Sequence, residues 1–274
     1  MVQKQGVPRL QDYHALRQSR EFQQLENASA SFIRGHGDQL RRYGARWILD
    51  PFQQWSRQWE YPFVYQEIRS YLQRHNQPAA VLDAGSGVTF FPAFLTDRYP
   101  EISVYCCDSD SSYGQVFDRI YGNRSNVQFC SQDLRSLQFP DGQLDIVYCI
   151  SVLEHTSEYP QILEEFYRIL KPGGKLILTF DIALDGSADI PVPEAEALLA
   201  GLRRRFGPHE WPDLNSQLGS GILTTLAIED VNRLPWRYPL LSHLKSAWKR
   251  RTLPRSIRKH LTCYCCSVTR PVED

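Results

Sequence analysis

The chain has 274 residues, of which 31 are basic and 31 acidic, so its formal net charge is zero. This balance disfavours nucleic acid and anionic membranes as general electrostatic partners, and a small-molecule ligand is favoured instead. No stretch approaches the roughly 20 apolar residues that span a bilayer, and the first residues lack the apolar core of a signal peptide, so we expect a soluble, cytoplasmic protein.

Residues 1–77 are rich in glutamine, arginine and aromatic side chains, and they predict an N-terminal helical cap. Apolar side chains recur on one helix face at Phe63, Tyr65, Ile68, Tyr71 and Leu72. The densest aromatic cluster of this region lies at residues 55–63. Two interpretations of the cluster stay open: it forms a wall of the active site, with Glu60 or Tyr61 contacting a ligand, or it packs the cap on the rest of the fold.

Residues 78–181 alternate short apolar runs with amphipathic stretches, which predicts strand and helix units around a parallel sheet. The predicted strands are residues 80–83, 102–107, 127–131, 144–150 and 175–180. The clearest helix is residues 159–170, and the sequence Lys-Pro-Gly-Gly at 171–174 is expected to end it. Right-handed crossovers place the carboxyl ends of these strands at one edge of the sheet, where ligand-binding groups collect.

Residues 182–274 are predicted to form a substrate-side insertion and to complete the sheet. A strand is predicted at residues 261–269, and another is proposed near 222–226. The acids Asp181, Asp185 and Asp189 either face a cationic substrate or are solvated loop residues. The basic stretch at 245–259 binds phosphate, RNA or an anionic surface in one interpretation, and is a solvated or acid-paired surface in the other.

The sequence Val-Leu-Asp-Ala-Gly-Ser-Gly at 81–87 predicts a buried strand that runs into a glycine turn before a helix. Such a loop cradles nucleotides. Gly85 and Gly87 occupy the first two glycine positions of a dinucleotide-binding loop, but Phe90 occupies the third. A dinucleotide needs a small residue there, so the loop predicts an adenosine ligand without a pyrophosphate.

Two carboxylates follow the next strands. Asp108 lies 21 residues beyond Gly87, close to the spacing at which an acid reaches ribose hydroxyls, and Asp110 could share that role. Asp133 follows the third strand, where a carboxylate can accept the exocyclic amine of adenine. The alternative for each is an ordinary helix cap or turn residue.

Taken in order, these motifs resemble the class I S-adenosylmethionine-dependent methyltransferases, in the broad group that acts on small molecules. Further matches lie at 139–147, at 153–155 and at 171–176. The resemblance implies an α/β fold: a Rossmann-like, seven-stranded, mostly parallel sheet with helices on both faces and an antiparallel last strand. It also implies S-adenosylmethionine as cofactor, held by Asp83, Gly85 and Gly87 at the methionyl part, Asp108 at the ribose, Asp133 and Leu134 at the adenine, and Ser151 beside the sulfonium.

The expected activity is transfer of a methyl group, by in-line displacement, to an oxygen or nitrogen of a small-molecule acceptor. His155 is the candidate general base, with a structural role as the alternative. No metal site is predicted, because adjacent Glu154 and His155 do not form one and the seven cysteines lack metal-ligand spacing. Two other functions stay open, a catalytically inactive binding protein of the same fold and a nicotinamide-dependent oxidoreductase, and so does the oligomeric state.

Overall fold

The computed structural model describes residues 2–44, 51–186, 190–208, 211–228 and 259–272. Asp189 and most of the basic stretch at 245–259 lie outside these ranges. The strands are β1 Ala80–Ala84, β2 Ser103–Asp108, β3 Val127–Ser131, β4 Leu144–Ile150, β5 Leu170–Ala183, β6 Ile190–Pro191 and β7 Leu261–Thr269. The helices are α1 Leu10–Arg17, α2 Arg20–Gly44, α3 Arg57–His75, α4 Phe91–Arg98, α5 Tyr113–Tyr121, α6 Tyr159–Ile169, α7 Val192–Phe206 and α8 Leu214–Gln217, and single 3₁₀ turns lie at Pro51–Gln53 and Leu153–His155.

The seven strands form one sheet in the order β3-β2-β1-β4-β5-β6, with β7 antiparallel to β5. All other neighbours are parallel. Alternate residues of each strand enter two hydrophobic cores, one shared with α3, α4 and α5 and the other with α6 and α7. This confirms the predicted fold class, a mostly parallel Rossmann-like sheet with helices on both faces.

The predicted strands agree with the structure at β3 and β4, and differ by one residue at β1 and β2. β5 is much longer than expected because it begins at Leu170, directly after α6. The segment at 171–174 does not form a separate loop: Gly173 donates to the carbonyl of Arg270 and Gly174 accepts from its amide, at 2.9 Å each. Pairing with the end of β7 therefore extends the strand.

The strand proposed near 222–226 is wrong, since the short strand that extends the sheet is β6. Ile222 forms a single bridge with Arg9. The next residues bond elsewhere: the Leu223 amide donates to the Pro8 carbonyl and the Thr225 amide to Leu261. These are isolated bonds to two distant segments, and they do not continue into a strand ladder.

The N-terminal region is helical, as predicted. α3 buries residues around most of its circumference, because it lies between the sheet and α2. Its side chains and those of β1 and β4 belong to one hydrophobic core. The division into a cap at 1–77, a core at 78–181 and an insertion at 182–274 stays a prediction. Within the described ranges, no helix is both long and apolar enough to cross a membrane.

Candidate active site

A cavity of about 580 Å³ opens at the carboxyl edge of the sheet, between the strand ends and the start of α3. All eight residues predicted for the site line it: Asp83, Gly85, Gly87, Asp108, Asp133, Leu134, Ser151 and His155. They lie at or after the carboxyl ends of four different strands, β1 to β4, and the parallel order of those strands brings them together. The individual roles predicted for them stay predictions.

The glycine loop is held by backbone bonds. The amides of Gly85 and Ser86 both donate to the carbonyl of Cys107, at 2.8 and 2.9 Å. Gly85 has φ +77°, and a Cβ placed there would overlap both terminal methyl groups of Val152. Glycine is therefore required at this position for two reasons: the backbone is left-handed, and Val152 in the loop after the neighbouring strand β4 approaches closely.

The glycine loop and the residues after β2 hold the carboxylate of Asp108 in place. Its Oδ2 accepts from the Gly87 amide at 3.0 Å, and its Oδ1 accepts from the Asp110 amide at 3.1 Å. Each oxygen keeps a further lone pair for a ligand. Asp110 is not among the residues that line the cavity, and its carboxylate accepts from the amide and hydroxyl of Ser112. The geometry thus favours Asp108 over Asp110 at the ribose position.

Asp133 has a partner that the sequence motifs did not predict. Arg135 donates to both carboxylate oxygens through its side chain, the shortest distance being 2.5 Å, and its backbone amide donates at 2.9 Å. These bonds lower the pKa of Asp133 to about 2. Arg135 also lines the cavity, so part of the acceptor capacity of Asp133 is already used.

Asp83 is buried at the end of β1, with a side chain that still reaches the cavity. Burial raises the pKa of this carboxyl to about 7, and the nearby charge of Asp108 acts in the same direction. Asp83 therefore changes charge near neutral pH. A cationic ligand group beside it would favour the carboxylate form.

The far wall of the cavity is built by α3. Ser151, directly after β4, has φ +48°, and its hydroxyl donates to Oε1 of Glu60 at 2.7 Å. Arg57 forms an ion pair with Oε2 of Glu60 at 2.6 Å and donates to the Ser151 hydroxyl. Glu60 is fully buried. We call Arg57, Glu60 and Ser151 the cap network, because it joins the N-terminal helix to the end of β4.

Sequence reasoning missed Arg57 and Gln54, which also line the cavity. Arg57 precedes the aromatic cluster and stands three residues before Glu60, which is the spacing of an ion pair on one helix face. That spacing was the available signal. It could not reveal that the pair is buried, because the burial depends on how α3 packs against the sheet.

The aromatic cluster at 55–63 combines both interpretations. Tyr61 lines the cavity, whereas Trp55, Trp59 and Phe63 are buried in the core. Phe90 is also buried, and its ring contacts that of Tyr61 at a centroid distance of 5.0 Å. The residue that replaces the third glycine therefore anchors the loop to α3.

His155 lines the cavity and is exposed, whereas the neighbouring Glu154 is buried. Asp181, at the end of β5, is buried and does not line the cavity; with Glu154 and Glu60 it acts on the charge of Arg57. Solvation in a loop is thus wrong for Asp181. The predicted absence of a metal site stays a prediction.

Comparison with known proteins finds similarity to methyltransferases. Residues 82–178 match the family model described as a methyltransferase domain. The matched segment begins in β1 and ends in β5, so it contains every strand end that contributes to the cavity.

Several curated proteins match at modest identity. A demethylmenaquinone methyltransferase of Deinococcus radiodurans is 26% identical over 142 residues, which is 52% of this chain and 55% of that protein. A sterol 24-C-methyltransferase of Aspergillus fumigatus is 26% identical over 189 residues, 64% of this chain and 49% of that protein. A tRNA N(3)-cytidine methyltransferase of Danio rerio is 32% identical over 110 residues, 36% of this chain and 30% of that protein. The chain spans about half or less of the length of these relatives.

Among solved structures, the cyclase SpnF superposes with a TM-score of 0.50 at 20% identity, covering 76% of this chain and 82% of that chain. This likeness concerns the fold. A cyclase on such a fold also illustrates that the architecture alone does not decide the reaction.

Proposed function

We propose that the chain is a class I S-adenosylmethionine-dependent methyltransferase that transfers the cofactor's methyl group to an oxygen or nitrogen atom of a small-molecule metabolite. The observation that carries this proposal is the convergence of eight residues from four strand ends on one cavity. Its volume of about 580 Å³ is that of a small-molecule site.

The residues present fit the cofactor. The glycine loop lines the cavity with backbone alone at Gly85 and Gly87, and Asp108 presents a carboxylate that the Gly87 amide holds in place. Asp83 supplies a buried acid whose charged form a cationic methionyl group would stabilise. Phe90 anchors the loop to Tyr61, where a dinucleotide-binding loop needs a small residue, and this supports an adenosine ligand over a nicotinamide dinucleotide.

S-adenosylmethionine, when bound, supplies a methyl group on a positively charged sulfur, which is already a strong electrophile. The chain therefore mainly has to orient the acceptor's lone pair and exclude water. Such positioning can lower the activation free energy of the transfer by about 7 to 11 kcal/mol. α3 serves this role, because Tyr61 and Arg57 close the cavity opposite the glycine loop.

His155 is the proposed base for an acceptor that must lose a proton. It is an exposed imidazole in the cavity wall, on the 3₁₀ turn that follows β4, and so lies on the same side as Ser151. His155→Gln is expected to lower the rate of transfer while the affinity for S-adenosylhomocysteine stays unchanged. If His155 has a structural role instead, the substitution should lower the melting temperature of the protein.

The first test is binding. Thermal shift and calorimetric titration should detect S-adenosylhomocysteine and not NADH. Absence of any response to S-adenosylhomocysteine would overturn the proposal, and a response to NADH would favour the oxidoreductase.

The second test is transfer. The protein is incubated with methyl-labelled cofactor and fractionated metabolites, and labelled products are identified. Total tRNA forms a parallel arm, because one relative that is 32% identical over 110 residues is a tRNA methyltransferase. Binding without any labelled product in either arm would favour the inactive binding protein.

A further inference from the structure

Arg57 has one half of its guanidinium fixed by the protein and the other half unused. Its side chain is only 15% exposed and lines the cavity. All its hydrogen bonds come from Nη1, which donates to Ser56, to Glu60 and to Ser151. Nε and Nη2 have no acceptor among the residues that the structure describes. Neither atom is among the buried polar atoms that lack a partner, so both are accessible, and a ligand that accepts from them in this largely buried site gains affinity.

Arg57 stays positively charged in this position. Burial alone would lower its pKa, but the charges of Glu60, Asp181 and Glu154 outweigh burial, and the net pKa is raised. None of these three acids lines the cavity, whereas Arg57 does. The cation is therefore what this wall presents to a ligand.

Along the sheet edge, Arg57 lies beside Ser151 and away from the groups predicted for the ribose and the adenine. Asp133 follows β3, Asp108 follows β2 and the glycine loop follows β1, in the order of the sheet. Ser151 comes next, after β4, and Arg57 bonds to it and lies near Asp181 of β5. Arg57 is thus next to the residue predicted to lie beside the sulfonium, at the end of the cavity away from the ribose and adenine groups.

We propose that Arg57 recognises an acidic group, a carboxylate or a phosphate, on the methyl acceptor; this inference rests on the proposed function. The planar guanidinium matches two oxygens of such a group through two parallel N–H donors, and Nε with Nη2 form that pair. Glu60 and Ser151 hold the opposite edge, so the fork is already oriented before the ligand arrives. The other arginine of the cavity wall, Arg135, is engaged with Asp133 at the adenine end.

The test measures binding of benzoate, phenyl phosphate and neutral benzamide to protein saturated with S-adenosylhomocysteine, by ligand-observed NMR. The two acids should bind the wild-type protein better than benzamide does. Arg57→Gln should weaken the acids by about tenfold or more and leave benzamide unchanged.

Two further variants keep the result interpretable. Arg57→Lys retains the positive charge opposite Glu60, so this variant should fold even if Arg57→Gln is unstable. It lacks the paired Nε and Nη2 donors, so it should also bind benzoate and phenyl phosphate more weakly than the wild-type protein. Arg124→Gln removes a matched arginine, ion-paired with Asp97 outside the cavity, and should change nothing.

Three outcomes would overturn the inference. The acids do not bind the wild-type protein, or they bind both Arg57 variants as well as wild type. In the third, both variants weaken S-adenosylhomocysteine but not 5′-methylthioadenosine, which lacks the amino-acid part; Arg57 would then bind the cofactor's own carboxylate. Failure of the wild-type protein to bind S-adenosylhomocysteine is a separate result, because it overturns the proposed function.

Discussion

At the β1–β3 end of the cavity, groups close in sequence and backbone bonds hold the site: the Gly85 and Ser86 amides bond to Cys107, and Gly87 bonds to Asp108. At the α3 end, side chains 91 and 94 residues apart hold it, through the bonds of Ser151 to Glu60 and Arg57. The first end depends on loop geometry and the second on a buried charge pair. The two ends should therefore respond differently to mutation.

The largest effect is expected at the α3 end, in stability. Glu60→Ala leaves Arg57 buried without its ion-pair partner, which should lower the free energy of unfolding by about 3 to 5 kcal/mol. Urea denaturation measures this. Asp97→Ala is the control, because it breaks the partly exposed pair with Arg124 and should cost less than about 1 kcal/mol. Equal losses would show that the cap network is no more important than a surface ion pair.

The second effect is a pH dependence at the β1–β3 end. Burial raises the pKa of Asp83 to about 7, while the unfolded chain has the ordinary value of 3.8. The folded state keeps the proton that the unfolded state loses, so the free energy of unfolding should fall as pH rises from 4 to 7, by about 2 to 4 kcal/mol. Asp83→Asn should remove this contribution. Parallel profiles for both proteins between pH 4.5 and 8 would contradict it.

The third effect concerns the geometry of the glycine loop and is measured as the affinity for S-adenosylhomocysteine. Gly85→Ala introduces a side chain at φ +77° that overlaps Val152, and it should weaken S-adenosylhomocysteine binding by about 1 to 3 kcal/mol, measured by calorimetry. Gly142→Ala is the matched control: Gly142 has φ +63° with open space around it, so strain is added without a clash. If both variants bind equally well, the close approach to Val152 is irrelevant to the pocket.

The smallest effects are expected at Asp108 and Asp133, the two acids at the β1–β3 end of the cavity. Asp108→Ala should weaken S-adenosylhomocysteine binding by about 1 to 2 kcal/mol, because a charged acceptor is lost. Asp133→Ala should cost less than about 1 kcal/mol, since Arg135 already occupies both of its oxygens. A larger loss at Asp133 would mean that the ligand displaces Arg135. The Asp133 carboxylate would then contact the adenine itself, as the sequence predicts.

Most of the β1–β3 end could be predicted from sequence because its determinants are local. A glycine turn after a buried strand and an acid after the next strand constrain where their backbones go, and the parallel sheet then places them at one edge. The same logic succeeded for β3 and β4 and failed for the stretch at 222–226. There the partners are distant segments, Pro8 and Leu261, which no local pattern identifies.

By itself, the sequence determined the alternation of strands and helices, the glycine loop and the spacing of Asp83, Asp108 and Asp133, and these sufficed to predict the family, the fold class and the cofactor. Tertiary structure alone decided that Glu60 is buried against Arg57 and Ser151 and that Asp83 is desolvated. The reason is physical. Backbone conformation follows from neighbouring residues, whereas burial and charge pairing depend on which distant surfaces pack together.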